Sequence, residues 1–231
     1  MTMGTNVTFK ANGGTAGGYL ATPASGNGPG VIVIQEWWGL TDQVKGVADM
    51  FAREGFVALA PDFYHGKSAK IGEPDAAQKL MMEFFQADTA AKDARGAAEY
   101  LTSQAAVTSK KVGTIGFCMG GYLAILVASV APGKVAAVVD CYGVGQRMPD
   151  LRPMRGIPVL GVFGGKDHSA GPDAVAGLEK AARDAGVPFT KAVYPEADHA
   201  FLNEQSAAVY RSADAQDAWA KILPFLKSNV K

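Results

Sequence analysis

The chain is poor in cysteine: its 231 residues carry two, Cys118 and Cys141. Two thiols cannot build a disulfide framework, so a reduced, cytoplasmic setting is expected. No charge excess of either sign exists, with 22 Lys and Arg against 22 Asp and Glu. Without a basic surplus there is little to neutralise phosphates or anionic lipid, so neither nucleic acid nor a membrane is an expected partner. No apolar run approaches the ~20 residues of a membrane span. The opening MTMGTNVTFKANGG is polar and lacks the basic-then-apolar order of a signal peptide. Repeats, low-complexity tracts and linkers are missing too, so residues 1–231 read as one domain. Histidine is scarce, and no histidine has a second ligand at a fixed helical or strand spacing. No metal site and no cofactor are therefore expected.

What is present is an alternation of short apolar runs and longer amphipathic ones. Val31–Gln35, Phe56–Ala60, Lys111–Phe117, Val135–Cys141, Pro158–Phe163 and Phe189–Tyr194 read as strands, with Pro61 ending the second. Thr41–Arg53, Ala76–Phe85, Thr89–Gln104, Met119–Val130, Pro172–Ala185 and Gln205–Leu226 read as helices. Thr41 or Asp42 is placed to cap the first, and Pro224 to kink the last. Val7–Lys10 and Gly18–Thr22 suggest a hairpin turning through Gly13 and Gly14. Continuous apolar strands between helices predict an α/β fold, a mostly parallel central sheet with helices on both faces. In such sheets ligands bind beyond the C-terminal strand ends. Glu36, Cys118, Asp167 and His199 each fall just after a predicted strand, so they should share one rim.

Gly116-Phe117-Cys118-Met119-Gly120 has the form G-x-C-x-G between a strand and a helix. A nucleophile elbow needs that pattern, because the chain reverses sharply and only very small residues fit two positions either side. The helix N-terminus also favours a thiolate. The plainer reading is a buried cysteine among packing glycines. The order of the partners favours chemistry: Asp167 in VFGGKDH, then His199 in PEADHAF, is the nucleophile–acid–histidine order of α/β-hydrolases. Asp198 is an alternative acid, but adjacent loop side chains rarely face each other, so Asp167 is preferred. His65 and His168 read as loop or surface residues. In QEWWGL, a carboxylate ending so apolar a run is costly to bury unpaired. Glu36 is either solvated at a strand end or turned to Cys118 to handle its proton. The backbone N–H groups of Trp37 and Met119 would then form an oxyanion hole. Trp38, Tyr142, Phe201 and Asn203 are candidate pocket residues, and Trp37 and Trp38 could equally plug the sheet end. Cys141 reads as a small buried residue.

The segments VIVIQEWWGL, APDFYHG, VGTIGFCMGGYLA, VFGGKDH and DHAF, in this order, resemble the dienelactone hydrolase family of α/β-hydrolases over nearly the whole chain. The resemblance implies Cys118 as nucleophile, His199 as general base and acid, and Asp167 as its orienting partner. It implies that Glu36 accepts the thiol proton when substrate arrives, and that Trp37 and Met119 bind the oxyanion. It implies a small ester or lactone as substrate, and a monomer or small homo-oligomer. One departure is visible. The family holds a substrate carboxylate with arginines, one soon after the histidine, whereas HAFLNE has Asn203 and no arginine. Any such cation would have to come from elsewhere, Arg211 or Lys79 for instance. The rival readings are a hydrolase of uncharged esters, a thiol protease or amidase, and a non-catalytic thiol protein sensing redox state or binding a ligand.

Overall fold

Gly30–Ile34 is buried at every position, as are Val112–Phe117 and Val159–Gly164. Strands with no wet face must lie inside a sheet covered on both sides. The computed structural model, which describes residues 4–11, 14–86, 89–145 and 147–231, puts them there. Its strands are β1 (Thr5–Ala11), β2 (Gly14–Ala21), β3 (Gly30–Ile34), β4 (Val57–Asp62), β5 (Val112–Phe117), β6 (Val135–Cys141), β7 (Val159–Gly164) and β8 (Phe189–Tyr194). They form one sheet in the order β1-β2-β4-β3-β5-β6-β7-β8. From β4 to β8 every neighbouring pair is parallel, and β2 pairs antiparallel with both β1 and β4.

The helices are α1 (Asp42–Arg53), α2 (Pro74–Gln86), α3 (Ala90–Ser103), α4 (Met119–Val130), α5 (Pro172–Ala185) and α6 (Ser212–Asn229). Helix α1 carries the chain from β3 outward to β4, and α3 leads it back across to β5. Right-handed crossovers in opposite directions put these two helices on opposite faces. On one face α1 meets α6 through Phe51 and Trp219, ring centroids 5.9 Å apart. On the other, α3 packs on α4. No helix among the described residues is long and apolar enough to cross a membrane.

Three elements depart from expectation. β4 runs on through Pro61 to Asp62. Its ladder with β3 ends at Leu59, so the missing N–H of Pro61 takes nothing from that side. Helix α6 begins at Ser212, not Gln205. The preceding stretch is spent in turns, because Asn203 bonds locally: its Oδ1 accepts the Gln205 N–H at 3.0 Å and its carbonyl accepts that of Ser206 at 3.0 Å. Asparagine competes with helix in this way. The helix then continues past Pro224 to Asn229. At the start of α1, Thr41 is the cap by position, but its side chain makes no capping hydrogen bond. β1 and β2 pair as the expected hairpin, with Gly14 already inside β2; Gly13 lies outside the described residues.

Candidate active site

The order of the sheet reverses beside β3. From there the chain moves to β4 on one side, and from β5 to β8 on the other. The crevice beyond the C-terminal ends of β3 and β5 is where such a sheet opens for a ligand. Glu36 follows the first of these strands and Cys118 the second.

Cys118 sits at φ 56°, ψ −123°, a region costly for any residue with a Cβ. The turn is pinned on both sides: the Cys118 N–H donates to the Cys141 carbonyl at 3.0 Å, and the Gly121 N–H to the Cys118 carbonyl at 2.9 Å. Two glycines make it possible. A Cβ on Gly116 would lie 1.9 Å from the Gly120 carbonyl oxygen, and one on Gly120 would lie 2.4 Å from that of Gln35. The elbow thus closes on itself and on the end of β3. Trp37, two residues beyond Gln35, and Met119 line the same cleft. The Met119 N–H opens α4, where no intrahelical acceptor exists. Among the described residues, no backbone acceptor engages the N–H of Trp37 or Met119.

His199, on the loop after β8, has Nδ1 2.8 Å from Asp167 Oδ2, and it lines the same cleft as Cys118. The other Asp167 oxygen accepts the N–H groups of Ser169 at 2.7 Å and Ala170 at 2.8 Å. Burial alone would raise the Asp167 carboxyl, but the His199 bond and these N–H donors hold it below the usual carboxylate range. Burial alone would lower His199. The bonds and charges of Asp167 and Cys118 outweigh it and push the ring up to about 10. Nδ1 is committed to Asp167, which leaves Nε2 as the ring nitrogen able to exchange a proton. Asp198, the alternative acid, is exposed.

Glu36 is 3 % exposed. Its Oε2 accepts the Asn203 side-chain N–H at 2.9 Å, and Oε1 has no partner among the described residues. Burial pushes its carboxyl up, more than the Asn203 bond and the nearby His199 pull it down. The expected hydrogen bond to Cys118 is not among its contacts.

Glu36, Cys118 and His199 open into a cleft of about 620 Å³. Its wall is largely apolar, with Trp37, Trp38, Met81, Phe85, Tyr122 and Tyr142 contributing. Two expected pocket residues lie elsewhere. Phe201 is fully buried, its ring 5.9 Å from Tyr142 and 5.0 Å from Tyr194. Asn203 is buried and spent on Glu36. Neither alternative cation reaches the cleft: Arg211 pairs with Asp214 on α6, and Lys79 lines a separate surface depression on α2. The cation at the cleft is Arg147, in the loop after β6, where no sequence pattern marks it. Met81 and Phe85, four apart on α2, were readable as one face of an amphipathic helix, but not as the side of a cleft.

Behind the wall, Asp140 is wholly buried at the end of β6. Its Oδ1 accepts the Gly143 N–H at 2.8 Å, which fixes the bend carrying Tyr142, while Oδ2 has no partner among the described residues. Burial, against the opposing Gly143 bond, raises this carboxyl from 3.8 to about 7. The folded state therefore holds the proton more tightly than the unfolded one. Stability is lost as pH rises between these values, by up to a few kcal/mol. Asn at this position keeps the bond to Gly143 and cannot ionise. Asp140→Asn should then raise the melting temperature above neutrality and give no gain in mild acid. A gain of equal size at both pH values would assign it to packing instead.

The sequence model of the dienelactone hydrolase family matches residues 16–230. The chain is 40 % identical to Protein usf of Aquifex pyrophilus, over 97 % of this chain and 98 % of that one. It is 37 % identical to an Aquifex aeolicus protein ascribed carboxymethylenebutenolidase activity, over 99 % of this chain and all of the other. Among solved structures, a Klebsiella pneumoniae protein ascribed to the dienelactone hydrolases superposes with a TM-score of 0.86 at 29 % identity, covering 98 % of this chain and 99 % of its own. The order of the sheet, the glycine-bounded elbow and these matches agree: the chain belongs to the dienelactone hydrolase family.

Proposed function

We propose that the chain hydrolyses a small carboxylic ester or lactone through a thioester on Cys118. The observation that supports this most is the His199–Asp167 pair on the same cleft as Cys118, with the sulfur at a strained elbow on the N-terminus of α4. The Cys118 thiolate attacks the ester carbonyl carbon, forming a C–S bond. Charge developing on the carbonyl oxygen is met by the N–H groups of Trp37 and Met119, each such donor being worth ~3 kcal/mol in the transition state. As the C–O bond breaks, His199 gives its Nε2 proton to the departing alkoxide. The neutral ring then takes a proton from water, hydroxide attacks the thioester, and the C–S bond breaks to return the thiolate and the imidazolium. Asp167 keeps the ring oriented through both halves. Cys118 and Cys141 are free thiols, which suits a reducing, cytoplasmic setting.

The wall of the cleft favours an uncharged ester over a carboxylated lactone. Its aromatic and thioether side chains surround the sulfur, and Arg147, the Lys or Arg that lines it among the described residues, is itself exposed. Steady-state hydrolysis of a dienelactone and of a neutral p-nitrophenyl ester, on one preparation, should favour the neutral ester. Quenched intact-mass analysis should show the acyl group on Cys118. Strong preference for the lactone would assign the substrate carboxylate to Arg147. Turnover with no adduct under any quench, or cleavage of a peptide amide in preference to both esters, would remove the reading.

A further inference from the structure

We propose that Glu36 works in this chain as an uncharged carboxylic acid, held in that form by a partner, Asn203, that is itself neutral, and that it does not serve as the base for Cys118. This rests on the reading that Cys118 attacks an ester, and it departs from the role that the family resemblance implies.

A buried carboxylate needs a cation or several donors to offset its lost hydration. Among the described residues, Glu36 has one neutral donor and one oxygen without a partner. The His199 ring beside it is committed to Asp167. The other titratable groups around Glu36 are Cys141 and Tyr142 at the end of β6, and Cys118 on the same cleft. None of them supplies positive charge.

Asn203 cannot turn its amide round to offer anything else. Its Oδ1 holds the Gln205 N–H at 3.0 Å. Its backbone is tied through Ala200 at 2.9 Å and Ser206 at 3.0 Å. The NH2 group must therefore face Glu36 Oε2, and the proton of the neutral acid belongs on Oε1. His199 shares the cleft with the sulfur and is made more basic by its bond to Asp167, so a second base for the same proton is redundant. Glu36 also directly precedes Trp37, whose N–H is to meet the oxyanion. A carboxylate there would oppose the charge that develops.

The test uses the full chain, the neutral p-nitrophenyl ester and three proteins: wild type, Glu36→Gln and Asn203→Asp. Infrared difference spectra between wild type and Glu36→Gln at neutral pH should contain the carbonyl band of a protonated buried carboxyl. The kcat profile of the wild type should fall as alkali ionises Glu36. Glu36→Gln should remove that step and keep only the later fall, where His199 loses its proton near 10. Asn203→Asp places a second carboxyl beside the first, so the Glu36 proton is held more tightly and the step moves to higher pH. A role for Asn203 in packing alone would not move it. Absence of the infrared band overturns the proposal. So does a loss of ~100-fold or more at neutral pH in Glu36→Gln, the size expected for removing a general base. If the wild type turns over no ester, the proposed reaction fails, and the infrared band alone decides the charge of Glu36.

Discussion

Cys118→Ala is expected to lower ester turnover by on the order of 10⁴-fold or more, while the fold stays intact. The fold stays intact for local reasons. The strain at φ 56° falls on any residue with a Cβ, and alanine bears it as cysteine does. The side chain is only partly buried, so removing the sulfur leaves no closed cavity. The pins of the turn are backbone bonds, from Cys118 to Cys141 and from Gly121 to Cys118, and they survive. What is lost is the nucleophile alone. His199 keeps its bond to Asp167, and without the sulfur beside it the ring should titrate at lower pH. Circular dichroism and thermal unfolding should match the wild type, and no acyl adduct should form. Full activity in this variant would refute the thioester. A collapse of the fold would instead make Cys118 a structural residue.

Much of this site is legible along the chain, for a physical reason. The elbow is a local device, and its glycines lie within two positions of Cys118. The partners follow strands, and the C-terminal strand ends of a parallel sheet converge whatever the loops between them. Strands without a polar face, such as β6, and helices with clear stops, such as α5 before Gly186, are read to the residue for the same reason. The hidden parts are contacts between distant segments. Glu36 and Asn203 are 167 residues apart, and nothing near either announces the other. Asn203 lies close to His199 in sequence, but the turn it builds buries it against Glu36 and keeps it out of the cleft wall. Met81, Phe85 and Arg147 join the wall only because α2 and the loop after β6 fold over the same crevice.

The largest expected loss of stability comes from one methyl group. Gly116→Ala places a Cβ 1.9 Å from the Gly120 carbonyl oxygen and 2.2 Å from its carbon. Both are backbone atoms of the same elbow, so no rotamer change relieves the clash. The helix start cannot retreat freely either, because Gly120 is packed against the Gln35 and Ile34 carbonyl oxygens, within 2.4 and 2.6 Å of where its own Cβ would stand. Overpacking in a core costs about 1–3 kcal/mol where side chains can shift. With backbone on both sides, roughly 3 kcal/mol or more is expected, a large part of the ~5–15 kcal/mol that holds a domain together. At ~2–4 °C per kcal/mol for a chain of this size, the melting temperature should fall by roughly 10 °C. Gly177 in α5 is the control. A Cβ there meets nothing within 4 Å, and its backbone is helical. Alanine at this position should stabilise by ~0.5–1 kcal/mol, through helix propensity and a less flexible unfolded chain. The same chemical change is thus predicted to have opposite signs at two glycines, and thermal unfolding of the two variants reads it directly. Similar shifts in both would mean that the crowding at the elbow is relieved by backbone movement. In that case activity should fall with stability unchanged, since any such movement displaces the Cys118 sulfur from His199.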